Sequence, residues 1–522
     1  MDQVEPHSTV LKAFRFALDP TGAQVEAFTR HAGAARWAYN HALAMKMSAH
    51  QEWRRELQQL VDHGVPEVEA RKKVRVPVPT KPAIQKHLNQ IKGDSRTPDL
   101  PEDASGPERP CPWWHEVNNF VFQSAFIDAD RAWQNWLDSI RGARAGGPVG
   151  YPRFKKKGRS RESFRLHHHT KRPGIRFATH RRLRLPTIGE VRLHTSAKRL
   201  TRLVERSEAV VQSVAISRAG HRWYASVLCK VNTHFPEGPT RIQRERGRVG
   251  VDLGVNHLAI LSQPFESNDP GTAFVANPRF LRAAHHRLAK AQRALSRAEK
   301  GSQRYQKARN RVARLHHHVA MRRQTALHTL TKQLATRFAE IAIEDLSVAG
   351  MTRSARGSLD KPGLRVKQKA GLNRAVLDTS PGELRRQLTY KTSWYGSTLA
   401  VLDRWFPSSK TCSACGWQNP HLTLADRTFH CANCTFTIDR DLNAARNIAA
   451  HAVPVDQPVA PGRGETQNAR RATVRPPGPR AGRQKAMKRE DTSPPRPVPS
   501  QRNDPLTLFT LAPTYAAPCR ER

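Results

Sequence analysis

Four of the seven cysteines in this sequence lie within 23 residues and form two Cys-x2-Cys pairs, Cys412 with Cys415 and Cys431 with Cys434. Each pair makes a tight turn that directs two sulfurs at one ion, and two such turns complete a tetrahedron of thiolates. The spacing therefore predicts a Zn²⁺ site. Because four thiolates leave no open position for water, that zinc should be structural. An Fe–S cluster on the same ligands and a chance cluster of thiols are the alternatives.

Three carboxylates stand at the edges of elements that are far apart in the chain. Asp252 interrupts the apolar run VGVDLGV, Glu344 ends the run IAIE, and either Asp439 or Asp441, both at the start of a predicted helix, is the third. An Asp inside an apolar strand is unfavourable unless a cation or a donor meets it. Mg²⁺ prefers oxygen ligands, and two-metal cleavage of a phosphodiester needs such acids together. The local alternatives are a turn cap at Asp252, an ion pair at Glu344, and N-caps at Asp439 or Asp441.

The charge of the chain points to a polyanionic partner. Its 522 residues include 88 Lys+Arg and 44 Asp+Glu, which gives a net charge of +44. Such an excess is typical of nucleic-acid-binding proteins. A membrane partner is disfavoured, because no segment is clearly a basic amphipathic helix or an anchor. No apolar run reaches the length of about 18 residues that a spanning helix needs. The N-terminus does not have the layout of a secretory signal, so we expect a protein of the cytosol or nucleoid.

The pattern of apolar residues predicts the elements that position these groups. We expect a strand at 11–18, a helical stretch from 21 to about 144, and strands from there to about 233 that the first strand completes. A hairpin at 248–262, two basic helices at 279–298 and 303–336, and a strand at 338–343 follow. Further predictions are a loop at 352–375, a helix at 384–395, a strand at 398–403 and a helix at 441–452.

The last segment of the chain has a different composition. Residues 454–522 hold 13 of the 37 prolines, together with 13 Lys+Arg and 6 Asp+Glu. A segment of this composition cannot bury a core, so we expect disorder. Without it, the chain still has 75 basic and 38 acidic residues, and the positive charge therefore belongs to the rest of the protein.

Four motifs together resemble one known family. VGVDLGVNHLAILS, IAIEDLSVAGM, FPSSKTCSACG and DRDLNAARNI follow one another in this order. They resemble TnpB, the transposon-encoded RNA-guided nucleases related to type V CRISPR effectors. The segments KAFRFALDPTGAQ and GYPRFKKK are also similar, so that the resemblance covers about residues 10–452. The segment 53–112 departs from the family, because it is longer and richer in proline.

The resemblance implies an α/β fold: an RNase H-like RuvC nuclease domain with a β-barrel wedge domain, a helical recognition domain and a zinc-ribbon insertion. The implied boundaries are 1–20 with 146–245 for the wedge, 21–145 for recognition, 246–405 with 438–453 for the nuclease, 406–437 for the zinc insertion and 454–522 for the tail. The family's three catalytic acids map onto Asp252, Glu344 and Asp441. The last is chosen because the third family motif is D-x-N, here Asp441-Leu442-Asn443.

The resemblance also implies a function and its partners. The expected activity is RNA-guided cleavage of double-stranded DNA beside a short adjacent motif, with two Mg²⁺ ions at the acids, one structural Zn²⁺ and a guide RNA from the transposon end. The alternative is an RNA-guided regulator that binds DNA without cutting, because some relatives lose the acids. This chain keeps all three. A transposase proper is disfavoured, since no Tyr pairs convincingly with a His-x-His motif.

Basic and aromatic side chains are the candidates for contact with nucleic acid. The candidates for contact with the phosphate backbone of a nucleic acid are Arg153, Lys155, Lys156 and Lys157 and the helices at 279–336. The alternative is that these residues form a solvated basic face. Trp37, Trp113, Trp114 and Trp405 have rings that stack on bases in other proteins. A core position is the more common use of each.

Overall fold

The computed structural model describes residues 8–455 except 92–111, 145–146, 170–172, 234, 266–269, 359–360 and 424. All of them belong to one unit, Met1–Arg471. The tail at 454–522, for which disorder is predicted, lies outside the described residues apart from its first two positions. Among the described helices, none is long and apolar enough to cross a membrane. The content is mixed α/β.

The elements follow one another in the order in which they are numbered here. The helices are α1 (Gly22–Asp62), α2 (Glu67–Lys73), α3 (Lys81–Ile91), α4 (Phe120–Ile140), α5 (Lys198–Glu205), α6 (Arg241–Arg246), α7 (Phe280–Ser296), α8 (Gln303–Arg337), α9 (Val348–Met351), α10 (Val366–Thr379), α11 (Pro381–Tyr395) and α12 (Arg440–His451). The strands are β1 (Ser8–Asp19), β2 (Ser163–His167), β3 (Arg176–Thr179), β4 (Arg182–Leu185), β5 (Gly189–Leu193), β6 (Ala209–Ala219), β7 (Arg222–Thr233), β8 (Arg248–Asp252), β9 (His257–Leu261), β10 (Phe274–Ala276), β11 (Glu340–Glu344), β12 (Thr398–Leu402), β13 (Thr428–His430), β14 (Thr437–Asp439) and β15 (Val453–Pro454).

The first sheet has seven strands in the order β2-β6-β7-β1-β5-β4-β3. Strand β1 pairs with β7 from Ser8 to Ala17 and with β5 at Leu18, and every pairing is antiparallel. The prediction that the first strand completes the later sheet is therefore confirmed. Helix α1 starts directly after β1 at a capping box, in which Thr21 and Gln24 each accept from the backbone of the other.

The helices inserted between β1 and β2 share one core with this sheet. Phe28 of α1 packs on Phe164 of β2 and Trp223 of β7, with ring centroids 6.0 and 5.2 Å apart. Phe122 and Phe126 of α4 are fully buried in the same cluster. Three buried aromatic rings remove a large apolar area from water, which holds the inserted helices on the sheet.

The second sheet carries the predicted acids. Its six strands lie in the order β10-β9-β8-β11-β12-β15. The three middle strands β8, β11 and β12 are parallel to one another, and β9 forms the predicted hairpin with β8. Parallel strands end at the same edge of a sheet, so residues at their carboxyl ends become neighbours.

Helices cover both faces of this six-stranded sheet. On one face, Val249, Val251, Ile341 and Ile343 pack with the buried leucines of α8 and α11. Residues of the opposite parity, Ala342 and Ala400, face α12 in a smaller cluster. Because successive side chains of a strand point to opposite faces, the face that meets α12 is built of small residues.

One predicted element is wrong. The segment 352–375 is a loop only in its first half, because α10 begins at Val366. The lysines and arginines that suggested a loop include the exposed Lys367 and Arg374, whereas Val376 and Thr379 are buried in the final turn. A narrow apolar stripe is enough to fix a helix that is otherwise charged.

Candidate active site and metal centre

Asp252 and Glu344 are the last residues of the adjacent parallel strands β8 and β11. The register aligns Val251 with Ile343, so these two acids lie side by side one step later. Strands that pair in this way are about 4.8 Å apart. Both acids have the parity of Gly250 and Ala342, and therefore belong to the face of the sheet that α12 covers.

Helix α12 comes unusually close to the sheet at Gly250. A Cβ atom at this position would lie 2.0 Å from the carbonyl oxygen of Ala445 and 2.5 Å from the backbone nitrogen of Ala449. Only a glycine permits this approach. Asp441 lies one turn, or about 6 Å, before Ala445 along the helix. Gly250 therefore determines how closely α12, with Asp441 in its first turn, approaches the ends of the strands.

The three acids interact electrostatically. Burial and, to a smaller extent, the negative charges of Glu344 and Asp441 raise the pKa of Asp252 to about 8, against the opposing charge of Arg440. The backbone N–H of Leu253 also lowers the pKa of Asp252. The structure thus brings the three carboxylates, which the sequence placed on separate elements, within electrostatic range at Asp252.

The two aspartates at the start of α12 have different positions. Asp439 is the N-cap, because its Oδ1 accepts from the N–H groups of Asp441 and Leu442 at 2.9 and 3.0 Å. The N-cap alternative therefore applies to Asp439 and not to Asp441. Asp441 instead accepts from Nε and a terminal nitrogen of Arg440 at 3.0 and 2.8 Å. This neighbour offsets part of the negative charge of the cluster.

Glu344 has a partner that the sequence did not reveal. The hydroxyl of Ser408 donates to Oε1 of Glu344 at 2.5 Å, and Ser408 itself is buried. Among the described residues, Glu344 has no ion pair within 4.0 Å. The adjacent Asp345 is paired instead, because Arg385 and Arg404 both bind its carboxylate. Their hydrogen bonds, that of Arg385 most strongly, hold the pKa of Asp345 below its usual value.

The four cysteines converge as the spacing predicts. All four Sγ atoms lie within 4.8 Å of one another, with 3.7 Å between Cys412 and Cys434 and 3.5 Å between Cys415 and Cys431. The backbone N–H of Trp417 and the amide of Asn433 lower the pKa of Cys415 to about 6. Four sulfurs at this separation suit a tetrahedral Zn²⁺ ion. The nearby His430 is bound to Thr437, at 3.0 Å, and is not part of the group.

Two buried asparagines of α12 connect the cysteine cluster to the acids. The side-chain amide of Asn443 donates to the carbonyl oxygen of Thr411 at 2.7 Å and accepts from the N–H of Ser413 at 2.9 Å. Asn447 donates to the carbonyl oxygens of Ser408 and Thr411 at 2.7 and 2.6 Å. Both amides are buried, and the carbonyl oxygen of Thr411 accepts from both, so replacing either asparagine would remove buried hydrogen bonds to this segment. The residues that lead into the cluster are therefore fixed on the helix that carries Asp441.

The predicted basic residues are not equivalent. Arg153, Lys156 and Lys157 are exposed. Lys155 is half-buried, since its ammonium group lies 3.7 Å from the centre of the Tyr39 ring and its backbone N–H donates to Asn40. The first three can meet a phosphate backbone as they stand, whereas Lys155 anchors this segment to α1.

Family models match three segments of the chain. The model described as "Probable transposase" matches residues 226–355, "Helix-turn-helix domain" matches 8–55, and "Cas12f1-like, TNB domain" matches 382–448. All three acids and all four cysteines fall inside these segments. Residues 8–55 contain β1 and a continuous part of α1, and so form no turn between two helices.

Two curated bacterial proteins are similar over most of their length. "Putative RNA-guided DNA endonuclease Rv2885c" of Mycobacterium tuberculosis H37Rv is 34% identical over 91% of this chain and 96% of its own. "Putative RNA-guided DNA endonuclease InsQ" of Escherichia coli K12 is 31% identical over 85% of this chain and 93% of its own. A structure of Cas12f1 with guide RNA and target DNA has a TM-score of 0.40 and 11% identity, over 84% of this chain and 99% of that one. A likeness of that size supports no conclusion about activity.

Proposed function

This chain belongs to the TnpB family, and from that membership we propose that it is an RNA-guided endonuclease that cleaves DNA. The observation that carries the proposal is that carboxylates from β8, β11 and α12 interact at Asp252, whose pKa burial and the charges of Glu344 and Asp441 together raise to about 8. The names of the curated relatives support the same activity. The net charge of +44 suits nucleic-acid partners.

We assign catalysis to Asp252, Glu344 and Asp441. Their oxygens are the ligands that Mg²⁺ prefers, and the electrostatic repulsion at Asp252 would be relieved by a bound cation. When two Mg²⁺ ions are bound, they supply the charge that activates a water and stabilises the leaving 3′-oxygen. Strands β8 and β11 hold Asp252 and Glu344 rigidly, and the hydroxyl of Ser408 fixes one oxygen of Glu344. The reaction proposed is in-line attack of water on phosphorus, with cleavage of the bond to the 3′-oxygen.

We assign one structural Zn²⁺ to Cys412, Cys415, Cys431 and Cys434. These side chains fit the ion, because their four Sγ atoms lie within 4.8 Å of one another. The proposed role of the metal is to order the insertion at 406–437 and, through Asn443 and Asn447, to hold the segment that contains Ser408. Zinc would then act on catalysis through position alone.

The remaining assignments concern partners and domains. We propose that a guide RNA from the transposon end and double-stranded target DNA bind this chain, with Arg153, Lys156 and Lys157 among the residues that meet phosphates. We keep the domain boundaries inferred from the family: wedge at 1–20 and 146–245, recognition at 21–145, and RuvC nuclease at 246–405 and 438–453. The sharing of one core by α1, α4 and the seven-stranded sheet is compatible with a wedge that supports the recognition helices.

The test begins with the RNA that accompanies the protein. The chain is co-expressed with its native flanking DNA and purified, and the bound RNA is sequenced. One defined species that ends in a guide segment is expected, whereas a heterogeneous mixture would contradict guided action. The complex is then supplied with matched plasmid DNA and Mg²⁺. Wild type should cut and Asp252→Ala should not, although both retain the RNA. If wild type binds the matched target and leaves it intact, the chain is a regulator that does not cleave.

A further inference from the structure

Trp405 is the one tryptophan whose ring is left in water. The chain has ten tryptophans, all within the described residues, and the other nine are buried or half-buried. The exposed fraction of Trp405 is 84%. The other sequence candidates for base stacking differ, because Trp37 and Trp113 pack edge to face with centroids 5.8 Å apart and Trp114 is half-buried. Trp405 is therefore the one tryptophan of the chain whose ring is free to stack on a base without any rearrangement.

The backbone that carries this ring is fixed on both sides. The N–H of Trp405 donates to Oδ1 of Asp403 at 2.8 Å. Before it, Arg404 binds Asp345 through its side chain. After it, the ring of Phe406 lies 4.7 Å from that of His451 and packs against the cluster under α12. The exposed indole therefore lies on a rigid turn. A ligand that binds to the indole would lose little free energy to ordering of the backbone.

The same turn holds a member of the acid cluster. Ser408, three residues after Trp405, donates to the carboxylate of Glu344. Arg404, one residue before, binds Asp345, the neighbour of Glu344. A ligand on the indole would thus be positioned by the segment that positions Glu344.

We propose that Trp405 is a stacking platform for one nucleobase of the DNA strand that is cut, next to the scissile phosphate. This inference rests on the proposed function and adds a substrate-binding residue to its site. An aromatic face stacks on any base, which suits a nuclease that must cut whatever sequence the guide selects. The positive charge of the chain attracts the strand, and the stacked base fixes where its phosphate lies relative to Glu344.

The test is a double-mutant cycle between the indole and single bases of the substrate. The full chain with its co-purified RNA is given a guide-matched target that is already unpaired around the cut site, so that the rate reports cleavage. Single abasic sites replace successive nucleotides of the cut strand. We compare wild type, Trp405→Ala and Trp405→Phe under single-turnover conditions. Ile140→Ala, which removes an exposed apolar side chain at the end of α4, is the matched control.

The expected result is coupling at one position. Trp405→Ala should slow cleavage of the intact strand about 5- to 150-fold, whereas Trp405→Phe and Ile140→Ala should cleave nearly as fast as wild type. One abasic site should slow wild type by a similar factor and have no further effect in Trp405→Ala. The melting temperature should be unchanged, since the ring is exposed. The proposal would be overturned if Trp405→Ala cleaved at the wild-type rate. It would also be overturned if, at every position, the abasic site slowed Trp405→Ala by the same factor as it slows wild type.

Failure of the proposed function is recognised separately. In that case wild type does not cut, or Asp252→Ala cuts as fast as wild type. The platform is then tested by the affinity of the same RNA complexes for a fluorescent 15-nucleotide oligothymidylate. Trp405→Ala should weaken binding about fivefold or more, and Trp405→Phe should restore it. Equal affinities would overturn the proposal, as would a change from dimer to monomer in Trp405→Ala, which would place the indole in a contact between copies.

Discussion

Replacing Asp252 with asparagine should stabilise the magnesium-free protein while it removes activity. Burial, with the charges of Glu344 and Asp441, raises the pKa of Asp252 from 3.8 to about 8. At a pH between these two pKa values, Asp252 is deprotonated in the unfolded chain and protonated in the folded protein. Folding of wild type therefore becomes less favourable as the pH rises through this window. The Asn side chain does not titrate in this range, so the stability of Asp252→Asn should not fall in this way as the pH rises.

The size of the effect follows from the free energy of one pH unit. From pH 3.8 to pH 7 the full penalty is about 4 kcal/mol, at 1.36 kcal/mol per pH unit. This is an upper limit, because the side chain is only half-buried and solvent screens part of the repulsion. We expect Asp252→Asn to unfold with a free energy about 2 kcal/mol higher than wild type at neutral pH. The difference should vanish near the unfolded pKa.

The assay is urea denaturation of zinc-loaded protein freed of RNA and magnesium, at about pH 5, 7 and 8. Glu69→Gln, which removes an exposed acid on α2, is the control and should change stability by less than about 0.5 kcal/mol. Added Mg²⁺ should stabilise wild type and leave Asp252→Asn nearly unchanged. Equal stability of the two proteins at neutral pH, or a difference that does not grow from pH 5 to pH 8, would refute the reasoning.

Three further changes test the supports of the site. Gly250→Ala should lower stability by about 3 kcal/mol and abolish cleavage, because its Cβ would lie 2.0 Å from a carbonyl oxygen of α12. The control is Gly371→Ala, whose Cβ would have its nearest neighbour at 4.0 Å. This variant should melt and cleave like wild type in the same assays. Asn447→Ala should lower stability by about 2 kcal/mol and slow cleavage with zinc still bound; unchanged cleavage would show that the link to Ser408 is dispensable. Cys415→Ser should reduce the zinc content measured by atomic absorption from about one ion per chain to near zero, with a lower melting temperature; full retention of zinc would contradict the four-thiolate site.

The residues of the candidate site could be selected from the sequence because their types stood out against their surroundings. A carboxylate at the end of an apolar run is unfavourable without a partner, which drew attention to Asp252 and Glu344. Two Cys-x2-Cys pairs have few uses besides a metal. The choice between Asp439 and Asp441 came from the family motif alone. In the structure Asp439 is the cap, and Asp441 interacts electrostatically with Asp252.

The supports of the site were not predictable, because they depend on contacts between distant segments. Nothing in the sequence distinguishes Gly250 from other glycines until α12 is seen to lie on it. Asn443 and Asn447 occupy ordinary positions of an Ala-rich helix, and only the packing of the zinc insertion on that helix shows what they bind. The sequence could not distinguish Trp405 from Trp37, Trp113 and Trp114 as a candidate for base stacking, because the exposure of a side chain depends on the fold.

The measurement that tests the central claim most directly is the location of bound metal. Crystals of the RNA complex soaked in Mn²⁺, which replaces Mg²⁺ and scatters anomalously, report ion positions without reference to activity. The account predicts two anomalous peaks about 3.5–4 Å apart, in contact with the carboxylates of Asp252, Glu344 and Asp441, and their weakening or loss in Asp252→Asn. The absence of Mn²⁺ from these three side chains, or its binding at other acids alone, would contradict the account.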